Sequence, residues 1–318
     1  MNRIINKKNI TKCLSLIIVY VILFILINSG ALNPYYAQIL ILFGINIILA
    51  VSLNMVIGFT GQLALGHAGF MSIGAYTAAI LTMKVGLPFP VVLIVGGLAA
   101  ALFGYLIGTP ILRLKGDYLA ITTLGFGEII RVIIVNLDYV GGPRGLPGIP
   151  KKTTFTWVFI ITVLSVVIMS NIIKSAQGRA MVSIREDEIA AEAMGINTTK
   201  YKLKSFVIAA FFAGIAGGLY AHYFMYLDPK SFNFLKSIEI LTFVVLGGMG
   251  SISGSIIGSG TLTALPEVLR SMGDFRMIIY PACLILLMLF RPQGLLGTKE
   301  ISLDMIKGIF KRKKTKTK

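Results

Sequence analysis

Long apolar runs, separated by short polar stretches rich in glycine or proline, dominate the chain. A helix needs roughly 20 apolar residues to cross a hydrocarbon layer about 30 Å thick. Runs of about that length occupy 13–29, 37–57, 63–83, 89–112, 118–137, 155–173 and 203–224. Three more, 238–246, 253–269 and 277–290, are shorter or richer in glycine. The pattern predicts an all-α, polytopic membrane helix bundle of about ten spans. Within it, 238–246 and 253–269 are either full spans or a re-entrant pair of half-helices. No polar stretch is long enough for a second, water-soluble domain. The predicted organisation is a short N-terminus over 1–12, a membrane domain over 13–290 with one long loop at 174–204, and a basic tail over 291–318.

Composition agrees with the pattern: 56% of residues are hydrophobic and 14% charged, far from a soluble globule with its quarter of charged residues. The net charge of +17 would suit a nucleic-acid binder, yet its placement excludes one. Basic residues stand between apolar runs and at both ends, not along one face of a folded domain. With both termini in the cytoplasm, 21 basic residues fall inside and eight outside, Arg131 being left within a span. The inverted arrangement would break the positive-inside tendency at almost every loop. The predicted location is the plasma (bacterial inner) membrane, with an even number of spans and the 174–204 loop cytoplasmic. Arg3, Lys7, Lys8 and Lys12 before the first run resemble a secretory signal, which the following spans make an uncleaved first helix. The tail Lys311–Lys318 reads as a solvated topology anchor or a segment lying against anionic lipid. Cys13 and Cys283 fall inside apolar runs and make neither a disulfide framework nor a metal site.

Several segments carry candidate chemistry. Ser183–Met194 predicts one charged helix bearing Arg185, Glu186, Asp187, Glu188 and Glu192 and stopped by Gly195. It suits a groove on a soluble partner or a solvated linker; its acidic face would repel anionic lipid. Glu128 and Arg131, three apart in the fifth run, share a helix face and can pair. Lone charges at mid-membrane cost about 2.5–3.5 kcal/mol each on insertion scales, so both should face protein or water. They are either a structural pair or part of a translocation path, and Gly125 and Gly127 allow a break there. Gly58, Thr60, Gly61, Gln62, Ser72 and Tyr76 form a stretch of small and polar residues that either lets helices approach closely or presents backbone and side chains to a substrate. A faint echo links Val56–Gly61 with Val245–Gly250, compatible with a duplicated core. His67 and His222 read as helix-packing residues. The chain holds no Gly-x-x-x-x-Gly-Lys-Ser/Thr loop, so ATP would be hydrolysed by another polypeptide.

Four segments carry a family resemblance. Asn54–Leu81, NMVIGFTGQLALGHAGFMSIGAYTAAIL, resembles the early signature of branched-chain amino acid permeases. Leu112–Arg131, LRLKGDYLAITTLGFGEIIR, and Phe290–Gly297, FRPQGLLG, resemble the LivM-type subunit of that family, not its LivH-type partner. Glu188–Gly195, EIAAEAMG, is similar to the loop by which permeases of ATP-driven importers dock into their ATPases, with either Glu188 or Glu192 as the docking carboxylate. The resemblance implies a transport subunit, not an enzyme, that carries leucine, isoleucine or valine by alternating access. It further implies a LivH-type permease, two ATP-binding subunits holding ATP and magnesium, and an extracytoplasmic substrate-binding protein as partners. No cofactor would be held by this chain. Urea or short-chain amide importers have similar permeases, and a proton-coupled carrier using Glu128 is the rival of another class.

Overall fold

A computed structural model describes residues 7–30, 32–291, 293–297 and 300. Residues 1–6 and 301–318, which include most of the basic tail, lie outside the described residues. Apolar runs become helices because a helix satisfies its own backbone without water. They are α1 (Lys7–Asn28), α2 (Pro34–Ile57), α3 (His67–Ile80), α4 (Phe89–Ile111), α5 (Asp117–Val135) and α6 (Phe155–Lys174). Then come α7 (Ala176–Glu186), α8 (Glu188–Ala193), α9 (Thr198–Phe224), α10 (Phe234–Gly247), α11 (Ile252–Val268) and α12 (Arg276–Phe290). Ten of these answer the ten predicted runs. Among the described residues, six (α2, α3 with its terminal π turn, α4, α5, α6 and α9) are long and apolar enough to cross a membrane. α10 and α11, with 14 and 17 residues, reach only about 21 and 25 Å at 1.5 Å per residue. They pack against each other and against α2.

Starts and stops follow local chemistry. Asn33, Thr154, Asn197, Asn233 and Ser251 each accept a backbone N–H of the first turn of the following helix. Four starts depart from expectation by four residues or more: α1 and α10 begin earlier, at Lys7 and Phe234, and two others bear on the site. The third run was predicted from 63, but 58–66 leaves the helical path and α3 starts at His67, because the backbone here bonds to neighbouring helices. Leu65 N–H donates to the Thr123 hydroxyl at 2.9 Å. α9 starts at Thr198 rather than 203, capped by Asn197, whose side chain accepts from Lys200 N–H.

α2 and α9 form the axis: 78% of the apolar window of α2 is buried against 22% for α6. α3, α4 and α9 approach closely; a Cβ on Gly74 would lie 2.2 Å from Gly214 Cα. Only small residues allow such a crossing. The outside is apolar, with Leu98, Leu102 and Leu106 of α4, Ile129 and Ile133 of α5 and Leu164 of α6 exposed. A bundle with a polar-poor mantle is built for a lipid surround. One end gathers α7, α8, the α4–α5 turn and the segment after α12: Lys115 pairs with Glu188, and Leu295 N–H donates to the Leu246 carbonyl. The other end is closed by a two-residue antiparallel ladder, β1 (Leu146–Pro147) with β2 (Tyr226–Leu227).

Candidate functional site

Two clusters hold the predicted residues, one at the loop end of the bundle and one along the α2–α3 break and α5.

At the loop end, the single helix predicted over Ser183–Met194 is two helices. Asp187 has extended backbone (φ −157°, ψ 109°), and its carboxylate accepts from Ile189 and Ala190 N–H at 2.9 and 3.0 Å. An aspartate that caps a new helix ends the old one. α8 then stops in a Schellman arrangement: Ile196 N–H donates to Ala191 O and Gly195 N–H to Glu192 O, at 3.0 and 2.9 Å, with Gly195 at φ +82°. The charges expected to face outward are mostly held internally. Glu188 accepts from the buried Lys202 ammonium at 2.7 Å and lies 3.8 Å from Lys115. Glu192 accepts from the Thr198 hydroxyl at 2.7 Å. Arg185 pairs with its neighbour Glu186 and donates through Nη1 to the Gly58 carbonyl at 2.7 Å. Two large apolar side chains stand out into the open here, Ile189 of α8 at 76% exposure and Met194 at its end at 82%. This end therefore presents a small apolar edge braced by an internal ion-pair network.

The second cluster begins at the break. Gly58, Thr60, Gly61 and Gln62 all lie in 58–66. Asn54, in the last turn of α2 and fully buried, crosses to the α10–α11 junction. Its Nδ2 donates to Ser251 O at 2.9 Å and Ser255 Oγ at 2.7 Å, and its Oδ1 accepts Gly250 N–H at 2.9 Å. The two echo segments are thus in contact: a Cβ on Gly58 would lie 2.2 Å from Gly250 N. Thr60 Oγ1 donates to Met55 O and Ser72 Oγ to Gly69 O, so both hydroxyls are satisfied within their own turns. Gln62 differs. Its side chain is buried, and neither Nε2 nor Oε1 has a hydrogen-bond partner among the described residues. A buried polar group without a protein partner costs about 1–3 kcal/mol, so its place here calls for a physical reason.

Toward the opposite end, Tyr76 is buried, with its hydroxyl donating to Leu227 O at 3.4 Å. Glu128 and Arg131 pair as predicted, Nε to Oε2 at 2.7 Å. The other carboxylate oxygen accepts the first N–H of α10, from Phe234, at 2.9 Å. A carboxylate at a helix N-terminus is a favourable placement. The break that Gly125 and Gly127 allow is not used; α5 is continuous, and Gly127 packs against Gly66 and Gly69. Gly69, Glu128, Phe232 and Ser237, among others, line a narrow cleft here with no room for a water molecule. Of the predicted path residues Glu128 lines it, and Gln62 and Tyr76 do not. His67 bonds the Ser52 hydroxyl at 2.9 Å; His222 bonds the Thr82 hydroxyl and Gly218 O, each at 2.8 Å.

Several residues here escaped sequence reasoning. Asn54 was legible as one of three amides, with Gln38 and Asn46, in an otherwise apolar run. Lys202 counted only as a loop charge, yet its ammonium is buried against Glu188. Glu300 caps α11, its carboxylate accepting from Ile252 N–H at 2.6 Å and the Ser253 hydroxyl at 2.6 Å. The Phe290–Gly297 segment closes the end of α10 through Leu295 and Leu296 N–H, which donate to Leu246 O and Gly247 O.

Residues 35–290 match the family model described as branched-chain amino acid transport system / permease component. Over 274 residues the chain is 37% identical to the high-affinity branched-chain amino acid transport system permease protein LivM of Salmonella typhimurium, covering 75% of this chain and 64% of that protein. The corresponding protein of Escherichia coli is 37% identical over 277 residues, 76% of this chain and 65% of that one. The match thus spans just under two thirds of the length of these relatives. The permease protein LivH of Escherichia coli is 34% identical over 148 residues, 45% of this chain and 47% of that protein. No solved structure matches the chain. An apolar bundle with paired helix breaks, matched by one family over residues 35–290, belongs to the branched-chain amino acid transport permeases, of the LivM type.

Proposed function

We propose that this chain is a membrane-spanning subunit of an ATP-driven importer and translocates branched-chain amino acids by alternating access. Its partners are a LivH-type permease, two ATP-binding subunits that hold ATP and magnesium, and an extracytoplasmic binding protein. It sits in the bacterial inner membrane with both termini and the 174–204 loop in the cytoplasm. The observation that carries the reading is the matched membrane domain whose loop helices are hydrogen-bonded to a helix break, through Arg185 and Gly58. A transporter needs such a connection, because nucleotide chemistry outside the membrane must alter the bundle inside it. The exposed Ile189 and Met194 edge is the face that meets the ATPase, with Arg185, Glu186, Asp187, Glu188, Glu192 and Gly195 shaping and holding it.

Gln62 is the side chain assigned to the substrate path. Its orphaned amide offers one acceptor and two donors, which complement the ammonium and carboxylate of an α-amino acid. Gly58, Thr60, Gly61, Ser72, Tyr76, Glu128 and Arg131 are assigned to the walls and ends of that path. Apolar pockets separate leucine, isoleucine and valine by only about 1–3 kcal/mol per methylene, so selectivity within the class is shared with the binding protein. The test is substrate capture. Purified with its partners, the complex should bring down leucine, isoleucine or valine and take up each in vesicles. Uptake of urea or acetamide in place of these amino acids would overturn the assignment.

A further inference from the structure

The cytoplasmic helix pair and the two helix breaks meet at one side chain. Arg185 ends α7. Its Nη1 donates at 2.7 Å to the carbonyl of Gly58, the residue that caps the end of α2, where carbonyls lose their intrahelical donors. The opposite edge of the guanidinium, Nε and Nη2, is held by the Glu186 carboxylate. Gly250, in the α10–α11 break, comes so close that a Cβ there would lie 2.6 Å from Nη1. A Cβ on Gly61 would lie 3.2 Å from Arg185 Cα. The arginine therefore lies in a cradle made by glycines of both breaks, while Asn54 ties the same breaks together from within.

We propose that Arg185 is a positioning residue that latches the α7–α8 pair to the crossing of the α2–α3 and α10–α11 breaks, so that motion of the pair is passed to both breaks together. The consequence for transport rests on the function proposed above; the latch itself does not. A guanidinium suits this place because its planar fork bonds Glu186 on one edge and Gly58 on another, which the single ammonium of lysine cannot do. The glycines admit it because any side chain at Gly250 would occupy the space of Nη1.

The test uses the complete transporter in vesicles, with Arg185→Ala, Arg185→Lys and Glu186→Gln. Two quantities are read: backbone amide exchange over 56–62 and 247–252, and amino acid imported per ATP hydrolysed. A charge-assisted bond of this kind predicts exchange about tenfold faster in both segments for Arg185→Ala. Import per ATP should fall severalfold while hydrolysis persists, and Arg185→Lys should not restore it. Glu186→Gln, which leaves Arg185 in place but removes the charge that holds its guanidinium, should move both quantities in the same direction by less. It decides the matter if Arg185→Ala fails to assemble. Unchanged exchange in either segment would overturn the latch. So would faster exchange with an unchanged import-to-hydrolysis ratio, the mark of a merely structural bond. If the wild type imports no amino acid, the transport reading fails by itself, and exchange in the two segments alone decides the latch.

Discussion

Replacing Asn54 by alanine should loosen the α10–α11 junction more than any other single polar change in α2. The side chain makes three bonds to that junction, all between buried groups. Interhelical hydrogen bonds in membrane proteins average about 0.6 kcal/mol each, which gives about 2 kcal/mol for the set. Not every partner is orphaned by the change. Ser251 O keeps the Ser255 hydroxyl at 3.2 Å, whereas the buried Gly250 N–H loses its acceptor. Leaving that donor unpaired adds about 1–3 kcal/mol, so the expected loss is about 3–5 kcal/mol. Asn54→Asp should be worse still, because it puts an uncompensated carboxylate oxygen against Ser251 O in a fully buried place. The assay is reversible detergent unfolding of the protein in mixed micelles, with amide exchange over 247–252 as the local readout. A loss below about 0.5 kcal/mol, less than one average bond, would refute the reasoning.

Other outcomes follow from the same geometry. Gly195→Ala should loosen α8 by about 1–2 kcal/mol, because a Cβ there meets nothing within 4 Å and only the φ of +82° resists it; Gly195→Val should cost more. Exchange over 188–196 reads this directly, and equal exchange in the two variants would contradict it. Glu188→Gln should destabilise the loop end by about 1–2 kcal/mol, discounted for the partial exposure of the carboxylate, by stranding Lys202. Adding Lys202→Met should recover part of the loss, and additive losses in the double variant would exclude the pair. Glu128→Gln should lower thermal stability before it alters substrate preference, since the carboxylate holds Arg131 and the first turn of α10; a shifted preference at unchanged stability would place it in the path instead.

Much of the fold was legible because hydropathy alone separates helices from links in so apolar a chain. The ten runs all became helices, and only their ends moved. The ends moved where backbone bonds cross between helices. The start of α3 shifted because Leu65 N–H finds Thr123, fifty-eight positions away. α8 separated from α7 because one aspartate caps it, a choice that helix propensity alone does not register. The echo between Val56–Gly61 and Val245–Gly250 was a weak signal, and the structure places its two halves in contact through Gly58 and Gly250. What sequence reasoning did not reach was the partner of each charge. Arg185, Glu188 and Glu192 belong to a charge-rich loop, yet their contacts run to Gly58, Lys202 and Thr198. Such pairings depend on how the bundle folds back on itself, which no local pattern contains.

The central claim, that ATP bound by partner subunits drives import through this chain, is tested most directly by leucine uptake into vesicles holding the whole complex. ATP is supplied on the cytoplasmic side, binding protein on the other, and a protonophore collapses any proton gradient. The account predicts uptake that persists with the protonophore and stops without ATP. Uptake that needs the proton gradient and proceeds without ATP would contradict it and assign the chain to a proton-coupled carrier.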